Sequence, residues 1–479
     1  MSRLSRSSVV TFVIALLTIA NYAQDLRFTA PAAKLRFKTT NLTTGANPQI
    51  VVVGDFNKDG KLDFAHVNYS NGGTGSVSVF LGKGDGTFKA RQDYAVGSGP
   101  DALTVGDVNG DGKLDLVVGN DTGANVSVLL GNGDGTFQTH QDYSAGSFPH
   151  WVALADFNGD KKLDIAVTNE GDDTIGVLLN NGDGTFGTMQ TFPTGKEPIS
   201  VAAADFNGDG KMDLAVTGYY DSIVSILLGN GKGNFKAHKD YQTGTAPAVV
   251  AAYDFNGDGK LDLVTANYNN GQTGSASVLL GKGDGTFGAH ADYTAGLGPD
   301  GLAIGDFNGD GIADLAIANL IGDSMSILPG KGDGSFGTNV DFTTEHYPLG
   351  MAAAQFTGNG PSSQDVVVTN DMSTDVTVFL NQAAVRISLK SSPNPSKKGQ
   401  RVTFNASVSA AVKQKGRPTG TVTFKDGSKQ LGTVKLANGV AKYATSKLAV
   451  GKHKITAAYS GDSQFNPDQS PVLVQTVTQ

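Results

Sequence analysis

The chain has 479 residues, enough for roughly two or three domains, and 64 of them are glycine without a collagen-like triplet period, which points to a turn-rich β protein. It has no cysteine, so disulfides, thiolate metal sites and a cysteine nucleophile are excluded. Its net charge of −8 is uneven: residues 385–479 hold 15 Lys and Arg against 3 Asp and Glu, the first 23 residues carry +2, and the stretch between carries −22.

The N-terminus reads MSRLSRSSVVTFVIALLTIANYAQD. Arg3 and Arg6 form a positive start, Val9 to Ala20 is an apolar run too short to span a bilayer comfortably, and Ala23 suits cleavage before Gln24. Residues 1–23 are therefore expected to be a secretory signal peptide. No cysteine follows, which excludes a lipoprotein anchor. The mature chain is expected to be secreted, periplasmic or held at the cell surface, without membrane insertion or nucleic-acid binding, and as a monomer.

From residue 24 to 382 one unit recurs. Its first copy is VVVGDFNKDGKLDFAHVN, and the opening aspartates are Asp55, Asp107, Asp156, Asp205, Asp254 and Asp306, at steps of 52, 49, 49, 49 and 52; a seventh, altered copy begins at Gln355. A period near 50 is that of a propeller blade. Each unit divides into four short strands separated by Asp-Gly turns, as in ALTVGD, LDLVVGN, NVSVLLG and FQTHQDYSAG. The expected fold is all-β: a seven-bladed β-propeller. The seventh unit stops after its third strand, while LRFKTTNLTTGANP at residues 35–48 matches the missing fourth. That segment is expected to complete the last blade and remove the open sheet edges.

Between the first two strands of each unit lies D-x-N-x-D-G-x-x-D. Side chains at positions one, three and five converge, glycine at six permits the turn, a backbone carbonyl at seven adds an oxygen, and aspartate at nine offers two more. An all-oxygen cage of this kind suits Ca²⁺. The expected ligands are Asp55, Asn57, Asp59, Lys61 and Asp63; Asp107, Asn109, Asp111, Lys113 and Asp115; Asp156, Asn158, Asp160, Lys162 and Asp164; Asp205, Asn207, Asp209, Lys211 and Asp213; Asp254, Asn256, Asp258, Lys260 and Asp262; and Asp306, Asn308, Asp310, Ile312 and Asp314, with the residue at seven acting through its main chain. Up to six structural calcium ions are expected. Lys161 replaces the glycine of the third loop and should weaken it, and Gln355, Thr357 and Asn359 should cost the seventh its ion. No helix follows position nine and no glutamate stands at twelve, which sets these loops apart from EF-hands.

The copies GDFNGDGIADLAIAN and ADFNGDGKMDLAVTG resemble the FG-GAP (VCBS-type) repeats of integrin α-chain propellers and many secreted bacterial proteins. The resemblance covers residues 35–382 and implies a propeller with calcium loops on the face opposite the usual ligand face. After the boundary stretch SSPNPSKKGQ, the segment from PTGTVTFKDGSKQLG to AAYSGDSQF is similar to bacterial Ig-like repeat domains, so residues 383–479 are expected to form an Ig-like β-sandwich.

The face away from the calcium loops should carry the loops from strand four to strand one and from strand two to strand three. Asn68, Asn120, Asn169, Asn267, Asn319 and Asn370 open the second set and are expected to cap loop backbone. Residues that break the pattern are the candidate ligand contacts: His150, Trp151, Tyr219, Tyr220, Tyr268 and Asp300. Asp101, Asp300 and Glu170 share that face without an obvious partner in sequence, and His140, His238 and His290 fall on the outer strand, where a solvent-facing role is expected. No G-x-S-x-G or H-E-x-x-H is present. The reading is a non-enzymatic, exported recognition or adhesion protein for a glycan or protein ligand. A polysaccharide lyase or hydrolase working on the same face and a cell-envelope scaffold stand as alternatives.

Overall fold

Seven four-stranded sheets are built from residues 37–381 of the computed structural model. The structure describes residues 35–70, 73–357, 364–382, 385–410, 417–462 and 465–479. The expected signal peptide and Asn359 of the seventh loop lie outside them. Six sheets use consecutive strands; in the first these are Pro48–Gly54, Asp63–Asn68, Thr74–Phe80 and Gln92–Ser98. The seventh joins Pro348–Ala354, Asp365–Asn370 and Asp375–Asn381 to Phe37–Thr43 from the other end of the chain. That last pairing is antiparallel and runs from Phe37 opposite Asn381 to Thr43 opposite Asp375. The first strands of the seven sheets neighbour one another in an unbroken ring, the seventh returning to the first. This is a closed seven-bladed β-propeller.

Burial follows strand rank. Second strands such as Asp164–Asn169 are buried along their whole length, because a neighbouring blade covers each face. Fourth strands such as Gln141–Ser144 are exposed apart from one half-buried aromatic ring. That ring meets the hairpin phenylalanine of the next blade edge-on: Tyr94 with Phe137, Tyr143 with Phe186, Phe192 with Phe235, Tyr241 with Phe287 and Tyr293 with Phe336, at 5.1–5.5 Å between centroids. At the closure Phe37 takes the same place against Phe342, at 5.0 Å. Each such pair contributes about 0.5–1.5 kcal/mol beyond its buried area.

The asparagines that end the second strands do more than cap loops. Asn169 and Asn319 accept the N–H of Gly146 and Gly296. Asn120, however, donates across its sheet to Ser127 Oγ (2.8 Å), which donates to Asp142 (2.6 Å) on the outer strand, where His140 Nδ1 lies 2.8 Å from the same carboxylate. The same ladder recurs through Asn267, Ser277, Asp292 and His290. His140 and His290 thus sit on structural carboxylates. In the first blade the ladder reaches the closing segment, because Thr44 Oγ1 bonds to Asn68 (3.3 Å) and Ser78 (3.4 Å), and it also lies 2.6 Å from Nε2 of the fully buried His66.

Residues 385–478 form two further sheets. Val385–Ser392, Val402–Ala410 and Val440–Thr445 make one; Thr421–Asp426, Lys429–Lys435, Gly451–Tyr459 and Leu473–Thr478 make most of the other. Phe404, Val422, Phe424, Ile455 and Phe465 fill the space between them. The SSPNPSKKGQ stretch lies inside this sandwich: Val385–Ser392 already pairs with Val402–Ala410, and Ser396–Lys397 runs parallel to the last strand.

Candidate functional site

On one face, each intact D-x-N-x-D-G-x-x-D loop is wound on its own side chains. In the fourth, Asp205 accepts the N–H groups of Gly208, Asp209 and Gly210, Asn207 Oδ1 accepts that of Asp209, and Asp209 accepts that of Lys211. Lys211 Nζ stands 3.0 Å from Asp209, and Lys113 and Lys61 pair likewise with Asp111 and Asp59. Lys161 adopts the conformation that glycine supplies elsewhere, with φ of 69°, and its N–H still reaches Asp156.

The position-nine aspartates behave differently. All seven are fully buried, and both oxygens of each accept backbone N–H. Asp63 takes those of Phe56 and Gly82, Asp213 those of Phe206 and Gly229, and Asp365 those of Phe356 and Asn381, at 2.7–3.0 Å. The bond to the residue beyond the third strand ties the loop to the hairpin. Burial pushes Asp213 up to about 6 and Asp365 up to about 7.

Among the described residues no three His, Asp or Glu side chains stand together as a ready-made cage. The donor set of the six intact loops nevertheless fits a hard cation, since it is oxygen throughout and a carboxylate oxygen holding one N–H keeps a second lone pair. In the seventh loop, Gln355 and Thr357 remove two of these donors and Thr357 bonds to Asp365 instead, so that set does not fit.

On the other face, every blade begins its innermost strand with proline, and the pairing register slips just after it. Such a bulge frees one residue from the ladder and re-aims its side chain. The residues after the seven prolines are Gln49, Asp101, His150, Ile199, Ala248, Asp300 and Leu349, so they form a ring at the mouth of the propeller. His150 Nε2 lies 3.3 Å from Asp101, with the two side chains 30% and 17% exposed, which leaves the pair within reach of a ligand. His150 Nδ1 is buried without a hydrogen-bond partner. Burial works against the His150 charge, but Asp101, Glu170, Asp300 and Asp121 together hold its pKa above the ordinary value. Burial pushes Asp300 up to about 7, against the pull of His150.

An aromatic wall adjoins this ring. Tyr219 and Tyr268 have centroids 6.3 Å apart, and Tyr268 packs with Trp151 on Ala248, Val249 and Ala266. Burial and the charge of Asp300 push Tyr219 up to about 12. His150, Trp151, Tyr219, Tyr268 and Asp300, from four blades, thus converge. Tyr220 does not join them; it stands 69% exposed on the rim with Lys196 Nζ 5.7 Å from its ring. Sequence reasoning missed the partner of Asp101, and it missed Gln49, whose amide donates to Asp371; Tyr69, which the sequence places with Tyr268 in the two long loops of this face, donates its hydroxyl to Asp121. The recurring proline was the signal that could have found the ring.

The FG-GAP-like repeat model matches residues 67–118, 107–167, 156–216, 205–265 and 254–317, and the bacterial Ig-like domain (group 3) model matches residues 389–478. No curated protein matches the chain. Among solved structures, a functionally unknown protein from Desulfotomaculum acetoxidans DSM 771 is 13% identical, covering 64% of this chain and 92% of that one with a TM-score of 0.46. BBS1N, solved in complex with ARL6DN, is 9% identical over 73% of this chain and 97% of that one, with a TM-score of 0.51. The periplasmic gluconolactonase of Pseudomonas aeruginosa is 16% identical over 63% of this chain and 87% of that one, with a TM-score of 0.49. At 9% identity the likeness to BBS1N speaks to fold alone.

Proposed function

Because the chain belongs to the FG-GAP-like repeat family and carries a bacterial Ig-like domain behind its repeats, we propose that it is an exported, calcium-stabilised recognition protein that takes a glycan or protein ligand at the mouth of the propeller. The observation that carries this reading is the gathering of His150, Trp151, Tyr219, Tyr268 and Asp300, residues that differ between blades, at one end of the propeller. A symmetric scaffold gains specificity where its repeats diverge, since only those positions distinguish one ligand orientation from another. The calcium loops support the site from the far face. Asp205, Asn207, Asp209, the main chain of Lys211 and Asp213, with their counterparts in the other five intact loops, would hold the ion, which supplies positive charge among crowded carboxylates and fixes the turn between the first two strands.

A glycan and protein array probed with and without calcium tests the reading. Tyr219→Ala should weaken capture of whatever binds, because truncating an aromatic hot spot costs about 2 kcal/mol or more. Trp151 is a poorer probe, since it also packs into the core between the third and fourth blades and its loss would cost folding. Unchanged capture by Tyr219→Ala would move the site elsewhere, with the basic Ig-like domain the next candidate.

One observation favours the enzyme reading. Asp300 is pushed up to about 7, and the nearby His150–Asp101 pair adds a second group poised for proton transfer. Release of reducing or unsaturated sugar ends by the purified protein, abolished in His150→Ala, would overturn the binding reading in favour of a polysaccharide hydrolase or lyase.

A further inference from the structure

The position-nine aspartates are joined to one another. Within each blade one carboxylate oxygen accepts the N–H of the loop residue at position two, and the other accepts an N–H at the end of the third strand, as Asp213 does with Phe206 and Gly229. The carbonyl of the same position-two residue is taken by the next blade. Gly135 donates to Phe56 (3.1 Å), Gly233 to Phe157 (2.9 Å), and Gly86 of the first blade to Phe356 of the seventh (3.1 Å). In five blades this donor is the last glycine of the hairpin. The third and seventh blades use a side chain instead. Asn180 Nδ2 donates to Val108 (2.8 Å) and Asn381 Nδ2 to Phe307 (2.6 Å), while their own N–H groups go to Asp164 and Asp365. Carboxylate, position-two residue and strand end thus alternate through all seven blades and return to the start, a closed ring of hydrogen bonds on the loop face.

The seventh blade is part of this ring although its loop does not fit an ion. It has no hairpin, because the chain leaves it for the sandwich. Even so, Asp365 keeps both of its bonds, Asn381 reaches the sixth blade, and Phe356 accepts from the first. One asparagine does there what a hairpin does elsewhere. The ring also ties adjacent loops energetically. Holding one loop in its wound form fixes its position-nine carboxylate, and with it the end of the third strand. That strand end, directly or through its hairpin, then steadies the loop of the preceding blade at its position-two carbonyl. A loop whose neighbour is already held loses less freedom on ordering, and chained hydrogen bonds polarise one another in the same sense.

Resting on the calcium part of the reading above, we propose that the six intact loops take up calcium as one cooperative unit, coupled blade to blade through this ring, with Asn381 as the link that carries the coupling across the seventh blade.

Hydrogen exchange of the full chain, followed by mass spectrometry across a calcium titration, reads each loop separately. Lys161 and Ile312 make the third and sixth loops unlike the others, so independent loops should gain protection at different calcium concentrations. Coupled loops should gain it together and steeply. Two substitutions of the same kind then separate coupling from local packing. Asn180→Gly gives the third blade the residue that five others carry. Gly184 stands against Asn109 as Gly285 stands against Asn207, so its N–H can take over and the common midpoint should hold. Asn381→Gly has no hairpin behind it, so the sixth loop should leave the common midpoint and need at least about fivefold more calcium. Protection of second strands such as Asp314–Asn319 in EDTA shows that each variant is folded. Should Asn381→Gly not fold, Asn381→Asp removes the same donor at nearly constant size. A sixth loop unmoved by loss of the Asn381 amide would overturn the proposal. So would a second loop displaced by Asn180→Gly as far as the sixth is by Asn381→Gly, since that is a local packing effect. If the wild-type loops gain protection at unrelated midpoints, the proposal fails and the calcium reading stands; if calcium protects none of them, both fail.

Discussion

Replacing Asp213 and Asp365 by alanine separates what the position-nine carboxylate does for the backbone from what it does for a cation. Asp213 holds the buried N–H groups of Phe206 and Gly229, and Asp365 those of Phe356 and Asn381. Alanine leaves both donors unpaired, at about 1–3 kcal/mol each, or about 2–6 kcal/mol for the pair. The carboxylate is itself costly to ionise where it sits. Burial pushes Asp213 up to about 6, roughly two units above the ordinary value, which at about 1.36 kcal/mol per unit amounts to about 3 kcal/mol at neutral pH. The net change in EDTA therefore runs from a gain of about 1 to a loss of about 3 kcal/mol for Asp213, and from a gain of about 2 to a loss of about 2 kcal/mol for Asp365, which burial pushes up to about 7. In calcium the two variants should part. The fourth loop keeps Asp205, Asn207 and Asp209, whereas the seventh has Gln355 and Thr357. A site filled at 100-fold over its Kd adds about 2.7 kcal/mol to the wild type. Asp213→Ala should forfeit most of that and Asp365→Ala none. Urea unfolding of both variants in EDTA and in millimolar CaCl₂ reads the comparison, with a gap of about 2 kcal/mol expected only in calcium. Equal losses in both buffers would refute the use of position nine by a metal.

His66, whose pKa burial holds down to about 4, should weaken ring closure in acid. The unfolded chain takes up its proton first, so stability is full above about pH 6.5 and declines by about 3 kcal/mol as pH falls toward 4; His66→Val should flatten that slope in a series of urea midpoints. Deleting residues 24–46 strips Phe37–Thr43 from the last blade and leaves Asp375–Asn381 as an open edge, so the truncated chain should aggregate in light scattering; a soluble monomer of normal stability would argue that the ring does not need its clasp. Lys161→Gly should raise the urea midpoint, by about 1 kcal/mol in stability, because glycine adopts the φ of 69° that Lys161 now holds; no gain would mean that the Lys161 side chain earns its place by other contacts.

Much of this architecture is legible because it repeats. The period near 50 and the Asp-Gly turns locate four strands per blade, and the missing fourth strand of the seventh unit, set against its match at residues 35–48, points to the pairing that Phe37–Thr43 makes with Asp375–Asn381. The position-nine aspartate is less legible. Its residue type is shared by a ligand cage and by a buried acceptor of two N–H groups, and only burial distinguishes the second role. Asp365 makes the point, since it keeps both bonds in a loop that has lost its other acidic positions. The asparagines at the ends of the second strands were legible in part, since Asn169 and Asn319 do cap loop backbone. A loop cap is a local bond that spacing suggests, whereas the ladder from Asn120 through Ser127 to Asp142 spans three strands.

The mouth was visible only as a set of departures from the repeat, and what joined them was a bulge. Propellers present the start of each innermost strand to the axis, so a slip of one residue after the proline decides which side chain faces the centre. Because the slip occurs in all seven blades, seven residues distant in sequence become one ring. The scaffold leaves their identities free: Ile199, Ala248 and Leu349 make part of the ring apolar, while Gln49, Asp101, His150 and Asp300 make the rest polar. A purely structural ring would favour one residue type throughout, as the buried position-nine aspartates do. A mixed ring, with Asp300 pushed up to about 7 by burial against the pull of His150, retains a cost that closer packing of Asp300 with a donor would relieve.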